Sequence, residues 1–132
     1  MSTITGVHHL SLTVRNLEAS IPWYKQLFGL TKIMDEPHEG GRAGVFMLPG
    51  GQLFIGLHAH DVNDGEPFAE TRTGLDHISF AVSSRAELEA WERRLAELGV
   101  THSPIADRPY GSVLVFRDPD NIQLELFANP DA

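Results

Sequence analysis

One pattern occurs twice in this sequence, and the repeat limits the fold more than any other feature does. Residues 9–14 read His-Leu-Ser-Leu-Thr-Val, and residues 77–82 read His-Ile-Ser-Phe-Ala-Val, an offset of 68 positions. After each segment comes a run of apolar residues with helical spacing, which ends at Gly29 in the first half and at Gly99 in the second. A glycine at this position commonly stops a helix. Such self-similarity predicts two copies of one strand-helix unit.

The signals around these runs extend the repeat into two modules. Asn16 and Ser84 are suitable N-caps, and Pro22 predicts that the first helix begins near Ala19, because proline is tolerated best in the first turns. Three strand-like runs follow each helix: residues 30–34, 43–48 and 53–58 in the first half, and residues 101–105, 112–117 and 122–127 in the second. We therefore predict an α+β fold in which two βαβββ modules form a curved mixed sheet with helices on its outer face.

The domain organisation follows from the same pattern. We predict a single domain over residues 1–132, with module one at about residues 5–60 and module two at about residues 74–128. The connecting residues 61–73 are polar and contain Gly65 and Pro67, which predicts a linker between the modules.

Composition excludes several classes of function. The chain has no cysteine, so neither a disulfide framework nor a catalytic thiolate is possible. Ten Lys and Arg against 18 Asp and Glu give a net charge of -8, which disfavours nucleic acid because its phosphates would be repelled. No window approaches the roughly 18 apolar residues of a membrane span. We expect a cytoplasmic protein whose partner is a small molecule, not a nucleic acid or a membrane.

Three polar side chains on predicted strands are candidates for metal binding. Strand alternation places His9 on the face opposite Leu10 and Leu12, and it places Glu125 opposite the apolar residues of the last strand. His77 holds the position of His9 in the second copy. A lone buried carboxylate is costly, so a mid-strand glutamate needs water, a cation or a metal. Two imidazoles and a carboxylate suit first-row divalent metals; the alternative is that each histidine is a polar residue filling the interior of a curved sheet.

Two longer motifs give the chain a specific resemblance. Residues 9–30 include Asn-Leu at 16–17, Trp-Tyr at 23–24 and Leu-Phe-Gly-Leu at 27–30, and an Asp-Pro-Asp-Asn turn at 118–121 leads into the strand with Glu125. These motifs resemble those of the vicinal oxygen chelate superfamily, and the likeness covers nearly the whole chain. That superfamily includes glyoxalase I, extradiol dioxygenases, fosfomycin-resistance thiol transferases, methylmalonyl-CoA epimerases and metal-free bleomycin-resistance proteins.

The resemblance implies a set of site residues. His9, His77 and Glu125 would ligate a divalent metal, and Fe, Mn, Ni, Co and Zn are all compatible with this set. A fourth ligand of glyoxalase I, usually a glutamate, falls at Gly56 in this chain, so that ligand is missing. His58 lies two residues further on the same face and is a candidate ligand or catalytic base.

Further expectations concern the substrate, the assembly and the other histidines. The loop with Tyr110 borders the site in similar proteins, which makes Tyr110 a candidate catalytic and substrate-binding residue. Phe54 shares a face with Gly56, and Ser11 shares a face with His9, so both are candidate substrate contacts. Similar proteins complete each metal site by packing modules of two chains, which implies a homodimer. We expect His8 to be a structural residue on the helix-packing face. We expect His38, His60 and His102 to be solvated surface residues.

Each branch of the superfamily meets an exception in this sequence. Extradiol dioxygenases carry a His and a Tyr upstream of the Asp-Pro turn, where this chain has residues 107–109 and Val115. Fosfomycin-type transferases carry cations after the last strand, and residues 129–132 contain none. We therefore expect a metal-dependent glyoxalase-like lyase or isomerase that binds a small substrate through vicinal oxygens. The alternatives are an extradiol-type dioxygenase, a fosfomycin-resistance-like thiol transferase, and a metal-free ligand-sequestering protein of the bleomycin-resistance type.

Overall fold

Residues 2–131, which the computed structural model describes, contain two copies of a β-α-β-β-β order. The first copy consists of β1 (His9–Thr13), α1 (Leu17–Phe28), β2 (Thr31–His38), β3 (Gly41–Met47) and β4 (Phe54–His60). The second consists of β5 (Ile78–Val82), α2 (Arg85–Glu97), β6 (Ala106–Arg108), β7 (Gly111–Arg117) and β8 (Gln123–Ala128). The predicted α+β class with two βαβββ modules is confirmed. The chain divides into two compact units between Glu66 and Pro67.

The first unit is a four-stranded mixed sheet with one helix packed on it. Its strand order is β1-β4-β3-β2, in which β1 is parallel to β4 and the other two pairs are antiparallel. Alternation along β4 buries Ile55 and Leu57 towards α1, which contributes Tyr24 and Leu27 to the same core. The opposite face of β4 is left for Phe54, Gly56 and His58.

The second unit repeats this arrangement. Its strand order is β5-β8-β7-β6, and β5 is again parallel to β8. Leu124 and Leu126 of β8 are buried, as are Leu88 and Leu95 of α2, and the helix contacts β5, β7 and β8. The other face of β8 therefore carries Glu125 with its neighbours at positions 123 and 127. No helix within residues 2–131 is long and apolar enough to cross a membrane.

Helix α1 begins at Leu17, two residues earlier than Pro22 predicts. Asn16 determines this start, because its side-chain oxygen accepts hydrogen bonds from the backbone N–H groups of Glu18 and Ala19. Pro22 has no N–H, but the carbonyl that loses its helical partner belongs to Glu18 in the exposed first turn. The cap thus outweighs the cost of the proline.

Two strands differ from their predicted bounds by more than two residues. Strand β2 continues through Pro37 to His38, beyond the predicted end at residue 34, with a register shift between Lys32 and Met34. As the last strand of its sheet it can accept a proline, since one side of an edge strand makes no ladder bonds. Strand β6 begins at Ala106, and residues 101–105 form only an isolated bridge from His102 to Phe116. The Ser103 hydroxyl accepts the Val115 N–H there and replaces the regular ladder.

Asp118, in the turn before β8, forms hydrogen bonds that position the start of that strand, and a substitution tests this role. Asp118 is buried, and its carboxylate accepts two backbone hydrogen bonds, from Asp120 and Ile122, each at 2.8 Å. Asp118→Ala leaves both N–H groups without this acceptor, so we expect a loss of about 2 kcal/mol in the free energy of unfolding, measured with urea. Asp64→Ala is the control, because Asp64 makes the same kind of turn with Glu66 on the exposed surface. Equal losses in both variants would contradict this role of Asp118.

Candidate metal centre and substrate cavity

Two of the three predicted metal ligands lie together in the second unit. His77 precedes β5 and Glu125 lies in β8, and the parallel pairing of these strands puts Glu125 in register with Ser79. The His77 Nε2 atom is 3.6 Å from the Glu125 Oε2 atom, and the Glu125 side chain is only 14% exposed. An imidazole nitrogen and a carboxylate oxygen at this separation are placed to share one cation.

His77 is oriented by a second carboxylate. Its Nδ1 donates a hydrogen bond of 2.7 Å to Asp76, which leaves Nε2 to face Glu125. The hydrogen bond with Asp76 raises the pKa of His77, partial burial opposes this, and the charge of Glu125 raises the pKa further. A ligating histidine usually donates its other ring N–H in this way, so the pair Asp76–His77 has the form of a metal ligand with its outer partner.

Glu125 is oriented by a chain of hydrogen bonds on the same sheet. Gln123 donates to Glu125 Oε2 at 3.0 Å, and Arg117 donates to the Gln123 side-chain oxygen at 3.1 Å. Arg117 in turn makes a two-pronged ion pair with Glu70, at 2.9 and 3.0 Å, which lowers the pKa of Glu70 to about 2. These partners therefore fix the Gln123 amide so that its N–H group points at Glu125.

Four of these outer residues were not predicted from the sequence. Gln123 lies two positions before Glu125, so strand alternation could have identified it. Asp76 is adjacent to His77 in sequence, but adjacency alone does not predict a ring-carboxylate hydrogen bond. The Arg117–Glu70 pair joins residues 47 positions apart and gave no sequence signal.

The first unit contains a cavity that collects four of the predicted site residues. It has a volume of about 350 Å³ and is lined by His9, Ser11, Phe54 and His58, together with apolar side chains of β2 and β3. The pairing of β1 with β4 explains this, because it puts His9 in register with Phe54 and Ser11 in register with Gly56. One cavity therefore contains the candidate metal ligand His9, the candidate substrate contacts Ser11 and Phe54, and the candidate base His58.

His8 lies in this cavity as well and not on the helix-packing face. Strand β1 begins at His9, so the strand alternation that predicted a buried His8 does not extend to that residue. The His8 ring is exposed, stacks on Phe54 with ring centres 5.4 Å apart, and places its Nδ1 2.9 Å from the Nδ1 of His9. The prediction that His8 lies on the helix-packing face is therefore wrong.

Gly56 is explained by its neighbours. A Cβ atom at this position would lie 2.7 Å from the Ser11 hydroxyl oxygen and 3.4 Å from Nε2 of His58. The first distance is too short for a real contact, so any side chain at 56 would have to displace Ser11. The second distance shows that the His58 ring reaches back over position 56, where glyoxalase-like proteins are expected to carry their fourth ligand.

The surroundings of His58 also include two histidines that were expected to be surface residues. The ring centres of His38 and His58 are 5.4 Å apart, those of His38 and His60 are 5.4 Å apart, and those of His58 and His60 are 6.0 Å apart. Burial lowers the pKa of His58, and the charges of His38 and His60 lower it further. The lowered pKa favours the neutral form of His58, which is the form that a base or a metal ligand needs. The surface prediction is wrong for His38 and also for His102, since both residues are half-buried.

Tyr110 lies on the sheet face that carries Glu125. Its side chain is 65% exposed, and its ring is parallel to that of Phe127, with ring centres 6.2 Å apart. Phe127 is two residues after Glu125 in β8, so both side chains point to the same side. No three histidine, aspartate or glutamate side chains within residues 2–131 are already arranged around a common point as metal ligands would be.

The environment of His58 yields a measurable pKa prediction. Because burial and two neighbouring imidazoles disfavour its charged form, His58 should titrate below an ordinary histidine when followed by NMR. His60→Gln removes one of the two charges and should raise the pKa of His58. His102→Gln is the control, since His102 is not among the groups that shift the pKa of His58 and should leave its titration unchanged. A His58 that titrates at or above the ordinary value would contradict this account.

Comparisons with known proteins agree with the fold and the motifs. A sequence model of the Glyoxalase/Bleomycin resistance protein/Dioxygenase superfamily matches residues 6–126. The crystal structure of a glyoxylase/bleomycin resistance protein/dioxygenase domain from Frankia sp. EAN1pec is similar, with a TM-score of 0.91 and 39% identity, over 98% of this chain and 96% of that one.

Two curated relatives are enzymes by name. The putative ring-cleaving dioxygenase MhqA of Bacillus subtilis is 30% identical over 122 residues, which is 92% of this chain but 39% of that protein. This chain thus spans about two fifths of the length of MhqA. The metallothiol transferase FosB of Bacillus licheniformis is 28% identical over 125 residues, or 93% of this chain and 75% of that protein. The chain belongs to the Glyoxalase/Bleomycin resistance protein/Dioxygenase superfamily, the vicinal oxygen chelate superfamily that its motifs resemble.

Proposed function

We propose that this chain is a divalent-metal-dependent enzyme of the glyoxalase-like group. The observation that carries the proposal is the His77–Glu125 pair, with a nitrogen-oxygen distance of 3.6 Å. Asp76 accepts a hydrogen bond from Nδ1 of His77, and Gln123 donates one to the Glu125 carboxylate. Both candidate ligands therefore have the outer hydrogen-bond partners that orient metal ligands. This donor set suits a first-row divalent ion, and one of the relatives is a metallothiol transferase.

His9 is the third ligand that we propose. It lies in the first unit, in the cavity with Ser11 and Phe54. We propose that the ligands come together in a homodimer or within one chain. The metal, whether Fe, Mn, Ni, Co or Zn, would supply Lewis-acid stabilisation to an oxyanion that forms on the substrate.

The protein's own side chains would then bind the substrate and move a proton. The wall of the cavity formed by Phe54 and the hydroxyl of Ser11 would contact a small substrate with two neighbouring oxygens. His58 would act as the base, because its lowered pKa favours the neutral imidazole and its Nε2 lies over Gly56 within this cavity. That atom would take a proton from the carbon beside a chelated oxygen and return it at another position, which is lyase or isomerase chemistry. Tyr110 would supply a phenol from the exposed face of the second unit as a further catalytic or binding group.

Ring cleavage of a catechol is the second candidate. The specific observation in its favour is the 30% identity to a putative ring-cleaving dioxygenase over 92% of this chain. Thiol transfer to an epoxide has comparable support from the 28% identity to a metallothiol transferase. A metal-free protein that sequesters a ligand is the rival from a different class.

Metal content tests the proposal directly. In protein purified without chelator, we expect Glu125→Ala to lower the metal content by about one ion per chain, measured by elemental analysis, because the variant removes the carboxylate ligand. Glu97→Ala, which changes an exposed glutamate at the end of α2, is the control and should keep the full content. If the wild type and Glu125→Ala both contain no metal, the sequestering protein is the better reading.

Turnover separates the enzyme reactions. Hemithioacetals, catechols and epoxides with added thiol are compared as substrates of the metal-loaded protein. We expect isomerisation of the hemithioacetal class, and we expect His58→Gln to lower kcat by about 10²-fold or more as the base is lost. Oxygen consumption with a catechol, at a rate that His58→Gln does not change, would instead favour the dioxygenase.

A further inference from the structure

We infer that His38, His58 and His60 form a second metal site, for a late first-row divalent ion such as Zn²⁺, within the first unit alone. None of the proposed ligands His9, His77 and Glu125 belongs to it, so the inference goes beyond the proposed function. It rests on the sheet register, the distances between the rings, and a buried nitrogen of His38 that has no hydrogen-bond partner.

The sheet register brings the three imidazoles to one area. His38 of β2 and His60 of β4 are both in register with Gly41 of β3, and His58 is in register with Ala43. Strand β3 thus presents only small residues where the two strands beside it, β2 and β4, present imidazoles. A Cβ atom on Gly41 would lie 2.9 Å from Cε1 of His38, so the His38 ring extends across the glycine towards β4.

The ring separations are close to those of a three-histidine site. Three imidazoles bound to one tetrahedral ion, with metal–nitrogen distances of about 2.0–2.1 Å, have ring centres about 5 Å apart. Here the separations are 5.4, 5.4 and 6.0 Å. The rings of His58 and His60 are nearly parallel, at 14°, so they do not yet point at one centre. The proposed site therefore requires the side chains of His58 and His60 to rotate until a nitrogen of each faces the ion.

His38 is already set up as a ligand. Its Nδ1 is 3.0 Å from the carbonyl oxygen of Glu39, and since a carbonyl only accepts, Nδ1 carries the proton. The Nε2 atom therefore holds the free lone pair, and it is buried without a hydrogen-bond partner in the part of the chain that the structure describes. A buried acceptor left unpaired is costly. Ligating histidines typically donate their other N–H to such a carbonyl, so an ion at Nε2 would remove the cost.

An ion has space and access at this position. A cavity of about 400 Å³ is lined by the three histidines together with Met34, Glu36 and Val45. The Glu36 carboxylate is a candidate fourth ligand, with water as the alternative.

Occupation of this site has a consequence for His58. The residue lines both this cavity and the cavity that contains His9. An imidazole nitrogen that binds a metal has no lone pair left for a proton. His58 therefore cannot serve as the proposed base through that nitrogen while the second site is occupied. If the ion binds Nε2, excess Zn²⁺ would inhibit the enzyme.

The test uses Zn²⁺ and a background in which the first site is removed. Chelator-stripped Glu125→Ala protein is titrated with Zn²⁺ in competition with a coloured chelator, and we expect about one ion to bind per chain. Adding His38→Gln and His60→Gln should weaken this binding at least 10-fold. Adding His102→Gln instead should leave Zn²⁺ binding unchanged. His102 is also half-buried, and its Nδ1 makes a similar contact with a carbonyl oxygen, that of Ser103 at 2.8 Å. Within residues 2–131 His102 has no ring contact with another histidine, which makes it a matched control.

A second measurement does not depend on the variants folding normally. In the Glu125→Ala protein, Zn²⁺ should shift the ring NMR signals of His38, His58 and His60 together. Absence of Zn²⁺ binding, unchanged affinity after the two histidine substitutions, or shifts confined to other histidines would each overturn the second site. Failure of the proposed function can be distinguished from failure of the second site. In that case the purified wild-type and Glu125→Ala proteins would have equal metal content.

Discussion

Parallel pairing between the first and last strands of each unit is the constraint on which the rest of the structure depends. A parallel pair cannot be closed by a tight turn, so the chain must cross over, and in each unit the first crossover segment is a helix. The helix covers one face of the sheet and takes up the apolar side chains. The other face is then free for polar groups, and the pairing fixes which of them are neighbours: Ser11 beside Gly56, and Ser79 beside Glu125.

The two units use this common frame differently. At equivalent places in the last strand, the second unit has Glu125 and the first has Gly56, where the Ser11 hydroxyl and the His58 ring occupy the surroundings of the missing side chain. The second unit therefore offers a carboxylate with an imidazole. The first offers imidazoles on an otherwise small-residue surface. The two units have the same arrangement of strands and helix, and different residues on one sheet face give them different chemistry.

Strand alternation and the repeat were enough to predict the two modules and to place His9 and Glu125 on the faces where they are found. The cluster around His38 could not be predicted, because its strand runs on through a polar Asp-Glu-Pro-His segment after a register shift. A one-residue shift reverses which face a side chain takes, and no sequence signal marks it. Pairs such as Arg117 and Glu70 depend on side-chain reach across distant segments, which neither periodicity nor turn chemistry encodes.

The charges around Glu125 are the physical reason for proposing a cation at this place. Other carboxylates are paired with guanidinium groups: Asp35 with Arg42, Glu70 with Arg117, and Asp107 with Arg85. Glu125 differs from them, because its partners within residues 2–131 are the neutral amide of Gln123 and the imidazole of His77. Its side chain is 14% exposed, so water screens its charge only in part. Glu125 thus has no guanidinium partner within residues 2–131 and lies beside the Nε2 atom of His77, so the divalent ion that we propose would neutralise its charge and use both donors.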